Sequence, residues 1–223
     1  MARLFAQEGA NVAVNDLTEE RTKETLSQLG GYDVKSFGVG ADVTDFDAVK
    51  AMVEETISRF GKLDTLVCNA GIAPCVFLKD MSEEEWDVML KVHLYGVFNC
   101  CRNVINHMID NKFGRIIITS SSSGIRGDSM LVHYSAAKAG QIGFAKALSR
   151  EVVDKGITVN VVAPGLTITP ILSNTDPKVI EANTPPIGRA GKPEDQAWAA
   201  VYFASDEAEY VTGQIINPNG GAF

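Results

Sequence analysis

The sequence predicts a doubly wound α/β fold: a parallel sheet, Rossmann-like, with helices on both faces and three αβα layers. Three observations predict it. Short apolar runs such as DTLVC (64–68), GRIIITS (114–120) and ITVNVVAP (157–164) read as strands buried on both faces. Segments of helical period alternate with them along the chain. The 223 residues suit one domain, 1–223, large enough to bury a core without disulfides.

Taken in order, residues 1–7 read as the end of an amphipathic helix, stopped by Gly9, and NVAVN (11–15) as a strand closed by Asp16. TEERTKETLSQLGG (18–31) is a polar-faced helix, and VKSFGVGADV (34–43) a short strand with a turn at Asp42. Residues 45–61 place Val49, Met52, Val53, Ile57 and Phe60 at helical spacing between Asp45 and Gly61. After the strand at 64–68, residues 82–110 predict one long helix, opened by Ser82 with Glu85 in capping-box spacing. A further helix is expected from residue 130 to about 154, and a last helix and strand at 193–205 and 213–221. Between them, residues 165–193 are rich in proline and longer than a connecting loop, which predicts a lid.

Composition narrows the function. Apolar residues make up 45% and charged residues 22%, which excludes wholesale disorder. A formal charge of -8 disfavours nucleic acid, whose binding needs an excess of Lys and Arg. Cys68, Cys75, Cys100 and Cys101 form neither a CxxC pair nor a disulfide framework, and His93, His107 and His133 form no metal-ligand cluster. No run approaches membrane-spanning length, and no signal peptide is read at the start, so a cytoplasmic protein is expected.

In such sheets, ligands bind beyond the carboxyl ends of the strands. Asp16 at the first exit either contacts the adenosine ribose of a dinucleotide, favouring NAD over NADP, or caps the helix that follows. Asp42, Val43, Asn69, Ala70 and Gly71 occupy the next exits, with short polar groups for an adenine edge and a glycine that admits a cofactor closely. In TSSSSGIRGDSMLVHYSAAKAG (119–140), Tyr134 and Lys138 stand four residues apart, on one face of a helix, with Ser121 upstream.

The segments NAG (69–71), a serine followed by YSAAKAG (134–140), APG (163–165) and NGG (219–221), in this order, resemble the short-chain dehydrogenase/reductase family. The likeness runs over 1–223 and is greatest to 3-oxoacyl-carrier-protein reductases. It implies Tyr134 as the acid/base, Lys138 as its partner and a ligand of the nicotinamide ribose, and Ser121 as the hydroxyl that orients the substrate oxygen. Ser121 is chosen because the family's serine stands three residues before a glycine, here Gly124. A phenol titrates near 10, so a base at neutral pH needs its anion favoured by roughly 3 units, about 4 kcal/mol, a task for nearby positive charge. Pro164, Gly165, Thr167 and Thr169 match the segment contacting the nicotinamide carboxamide and phosphates, and 165–193 the substrate lid.

Two departures stand out. The family's usual Asn in the long helix is replaced by His93, which is expected to hold water and relay protons. Residues 1–223 also hold no TGxxxGxG loop, which in the family follows a first strand and cradles the pyrophosphate. The chain is read as lacking that strand. The expectation is an NAD(P)(H)-dependent oxidoreductase interconverting a secondary alcohol and a ketone, on a small alcohol or ketone or an acyl thioester, as a homodimer or homotetramer. The competing expectation is a silent binding protein that does not hold the dinucleotide.

Overall fold

A computed structural model describes residues 1–169 and 177–223. Six parallel strands alternate with helices: α1 (Ala2–Gln7), β1 (Val12–Asp16), α2 (Glu19–Leu29), β2 (Ser36–Gly40), α3 (Phe46–Phe60) and β3 (Thr65–Cys68). Then come α4 (Glu83–Leu90), α5 (Gly96–Asn111), β4 (Gly114–Thr119), α6 (Ser123–Arg126), α7 (Val132–Val152), β5 (Ile157–Val162), α8 (Pro177–Ala182), α9 (Pro193–Ala204) and β6 (Ile215–Ile216). The expected helix signals act as read. Asp45 accepts from the Asp47 and Ala48 amides at 2.9 and 3.0 Å, and Gly61 ends α3 with φ 82°. Ser82 and Glu85 form a reciprocal capping box on α4.

The strands fall into two parallel blocks, β1-β2 and β3-β4-β5-β6. Among the described residues, β1 pairs only with β2, and β3 only with β4. Helices join the blocks on both faces: α3 packs on α5, and α1 on α9. Side chains alternate across the larger block. Ile116, Ile118, Val159 and Val161 enter one core with Val49, Val97 and Val104, while Ile117 and Val162 enter another with Ala200 and Phe203. All six residues of β5 are buried, whereas all five of β1 are half-buried.

Three expected elements change. The long helix over 82–110 is broken into α4 and α5 by a π turn at Lys91–Tyr95. The segment 165–193 is not all loop: α8 lies within it, and Thr167 bridges to Gly191. Residues 170–176 of the expected lid, its tip included, lie outside the described residues. The last strand shortens to two residues, paired with Val161 and Val162, because Pro218 and the glycines after it leave little ladder to form. Cys68, Cys100 and Cys101 are buried in the core, where the neighbouring Cys68 and burial push the Cys100 thiol up, so these are packing groups rather than reactive thiols. No helix among the described residues is long and apolar enough to cross a membrane.

Candidate active site

The carboxyl end of β4 brings Tyr134, Lys138 and Ser121 together, as expected. Lys138, 3% exposed, reaches from α7 under the strand end and donates from Nζ to the Thr119 carbonyl at 2.6 Å. Its ammonium lies 5.5 Å from the centre of the Tyr134 ring. The backbone behind it is tied down, because Ser120 Oγ donates to the Lys138 carbonyl at 2.8 Å. A Cβ on Gly124 would stand 2.7 Å from the Lys138 carbonyl carbon, so this glycine lets α6 close on α7. Ser121 Oγ accepts the Ser123 amide at 3.1 Å and donates to Ser123 Oγ at 3.2 Å. Ser123 in turn donates to Asp128, which is paired with Arg126.

Burial governs the charges here. It lowers the Lys138 amine to about 7, so the ammonium loses its proton near neutrality. Tyr134 is raised above the usual phenol range, mainly by burial, with the Ser121 hydroxyl opposing and the Asp128 carboxylate adding. Lys138 is not among the groups that shift Tyr134 here, its amino group being bonded to Thr119; the expected lowering of the phenol also calls on the charge of an oxidised nicotinamide.

His93 sits at the π turn, 1% exposed, its ring edge-on to Tyr134 with centroids 5.4 Å apart. Nε2 lies 2.8 Å from the Ile72 carbonyl and 3.4 Å from the Ile72 amide nitrogen, and the shorter contact places the proton on Nε2; Nδ1 has no partner among the described residues. Burial, and then the charge of Lys138, lower the imidazole to about 4, while the Ile72 bond opposes them. His93 is thus neutral at pH 7. A neutral imidazole accepts a proton at one nitrogen as it gives one up at the other, so the expected relay would run without an imidazolium. Gly71 answers to this ring: a Cβ on it would lie 2.5 Å from His93 Cε1.

The expected cofactor residues lie at strand exits. Asp16 ends β1, accepting from the Leu17 amide at 2.7 Å and pairing with Arg21 at 3.3 Å; Thr18 occupies the cap position of α2, so Asp16 is not the cap. Asp42 accepts from the Thr44 amide at 2.8 Å, and the Val43 carbonyl accepts from Asn99 at 2.8 Å, fastening the end of β2 to α5. Asn69, Ala70 and Gly71 are exposed beyond β3. The Pro164 carbonyl accepts from the Ser122 amide at 2.9 Å, and the Gly165 carbonyl from Thr167 Oγ1 at 2.9 Å. Thr169 is half-buried. Half-buried Asp16 and exposed Asn69 and Gly71, with the Tyr134–Lys138 pair, suit the two ends of a dinucleotide laid across the carboxyl ends of the two strand blocks.

Sequence reasoning missed Thr119, Ser120, Asp128 and the Ile72 carbonyl. Backbone acceptors carry no side-chain signal, and the roles of Ser120 and Asp128 depend on how α6 folds back.

The family described as Enoyl-(Acyl carrier protein) reductase matches residues 1–222. A 3-oxoacyl-(acyl-carrier-protein) reductase of Thermotoga maritima is 40% identical over 220 residues, covering 98% of this chain and 89% of the relative. The protein of the same name from Staphylococcus aureus (strain Mu50) is 40% identical over 226 residues, 100% of this chain and 92% of the relative. A hydroxy(phenyl)methylsuccinyl-CoA dehydrogenase subunit, BbsD, of Thauera aromatica is 39% identical over 220 residues, 97% of this chain and 88% of the relative.

Proposed function

Because this chain belongs to the short-chain dehydrogenase/reductase family, it is an NAD(P)(H)-dependent oxidoreductase interconverting a secondary alcohol and a ketone, and we propose that Tyr134, Lys138 and Ser121 carry that reaction. The observation that supports this most is the buried cation of Lys138 against the Tyr134 ring, with Ser121 beside the phenol. In reduction, Tyr134 gives its proton to the substrate oxygen, and in oxidation it takes it back. Ser121 donates a hydrogen bond to that oxygen as its charge changes. Lys138, held by Thr119, stabilises the phenolate; His93 keeps the ring in place. Asp16, Asp42, Val43, Asn69, Ala70 and Gly71 would hold the adenosine end of the cofactor. Lys138, Pro164, Gly165, Thr167 and Thr169 would hold the nicotinamide end, where the bound nicotinamide supplies or accepts the hydride.

Asp16 favours NAD, since a carboxylate repels a 2′-phosphate, although Arg21 beside it softens that repulsion. The names of the relatives support an acyl thioester as substrate, ahead of a small free ketone. A homodimer or homotetramer follows from the family resemblance, with exposed Phe98 on α5 and Val132 on α7 as contact groups.

The test is turnover of an acetoacetyl thioester with NADH and with NADPH. Tyr134→Phe should lower kcat by about 10³-fold with the fold intact; a variant that keeps its rate sinks the assignment. A second reading, a catalytically silent protein that does not hold the dinucleotide, is favoured by the division between β1 and β3 among the described residues, beside the expected pyrophosphate site. Titrating the chain with NADH and following nicotinamide fluorescence separates the two: saturable enhancement supports the enzyme, and a flat titration supports the alternative.

A further inference from the structure

Gln141 has no part in the reaction described so far, yet it is 1% exposed and lies on the same face of α7 as the site. Tyr134, Lys138 and Gln141 stand at i, i+4 and i+7 of one helix, a single stripe facing the sheet and the π turn. The side-chain amide donates from Nε2 to the carbonyl of His93 at 3.0 Å. That carbonyl sits within the five-residue π turn, where Gly96 bonds back to Lys91 instead of one residue nearer, so the usual ladder is shifted. Gly140 allows the approach: a Cβ there would come within 2.9 Å of Leu94 Cδ2. Among the described residues, two polar atoms beside this contact have no partner, Gln141 Oε1 and His93 Nδ1. A glutamine buried with half its amide unsatisfied is costly. An apolar side chain at this position would avoid that cost and would leave the His93 carbonyl without this donor.

The geometry points to Gln141 as a positioning residue: by gripping the His93 carbonyl it fixes the π turn, and through the turn it holds the imidazole against Tyr134 and the Ile72 carbonyl. This rests on the reading of Tyr134 as the proton-transfer group. The groups that face the imidazole are Tyr134, Lys138 and His133 from α7 and the Ile72 carbonyl from the segment after β3. A ring set in this way keeps Tyr134 in one orientation above Lys138; a loosened ring lets the phenol wander and the rate of proton transfer fall.

The first measurement is imidazole NMR on the 223-residue chain, whose histidines are His93, His107 and His133, with His93→Ala assigning the ring. In the parent, His93 should stay neutral with its proton on Nε2 through pH 6–8. In Gln141→Met, and in Gln141→Glu if the first variant does not fold, its resonances should shift and its titration rise by about one unit toward the ordinary value. A ring that stays unmoved in a folded variant overturns the proposal, whether or not the chain is active.

The second measurement is kinetic. Gln141→Met should lower kcat about tenfold with KM within about twofold, and the loss should shrink below about twofold in a His93→Ala background. Losses that simply add, or a kcat unchanged in Gln141→Met, overturn it. A parent chain without turnover defeats the proposed function, and the ring measurement then still decides whether Gln141 places His93.

Discussion

The two strand blocks of this molecule are built from similar apolar sequence and end in different degrees of order. In β3-β4-β5-β6, Ile116, Ile117, Ile118, Val159 and Val162 are wholly buried, and Ser121, Tyr134 and Lys138 hang from this block or from α7 packed upon it. In β1-β2, the strand VAVND is half-buried along its length, one edge of β1 carries no ladder among the described residues, and the block is attached through helices. Asp16 and Asp42, which we propose for the adenosine side of the cofactor, stand at the strand ends of this second block. The contrast teaches that the chemical half of the site is positioned by close packing, while the cofactor-selecting half depends on what joins the blocks.

The sharpest way to break the comparison is to release the stress concentrated in the packed block. Lys138 is a basic group with its folded pKa near 7 against an ordinary value of 10.5, so between these values the unfolded chain binds more protons. Stability therefore rises with pH from 7 to 10.5, and below pH 7 the full penalty, roughly 5 kcal/mol at 1.36 kcal/mol per unit, is present. Lys138→Met should raise the denaturation midpoint at pH 6 while abolishing turnover, and the gain should vanish toward pH 10.5. A variant less stable than the parent at pH 6 would show that the Thr119 bond outweighs desolvation.

Truncations come next in size. Ile117→Ala should cost about 2–5 kcal/mol, whereas Val14→Ala in the open strand should cost under about 1.5 kcal/mol. Urea melts of both variants decide it, and equal losses would erase the distinction between the blocks. His93 adds an acid limb: with its folded value near 4 against 6.5, stability should fall by about 3 kcal/mol as pH drops from 6.5 to 4, and His93→Ala should flatten that slope. The smallest effect belongs to Asp16. Asp16→Ser should move the NADPH to NADH ratio of kcat/KM upward by about tenfold, and an unchanged ratio would remove Asp16 from cofactor selection.

Much of this was legible in the chain itself. Short apolar runs alternating with segments of helical period located the strands, Asp45 and Gly61 bounded α3, and the YxxxK spacing put Tyr134 and Lys138 on one helical face because 3.6 residues make a turn. The π turn was not legible, since an inserted residue in a long apolar helix leaves the pattern almost intact. Nor was the burial of Lys138, the most exposed of residue types by habit, or the service of Gly71 to His93.

By itself the sequence determined which residue types recur at which spacing, and hence the order of strands and helices and the family to which they belong. Only the tertiary structure decided the protonation of His93 and Lys138, the partner of Gln141, and the division of the sheet. Those depend on desolvation and on contacts between residues tens of positions apart, such as the 48 that separate His93 from Gln141, and these exist only once α7 is laid against the π turn.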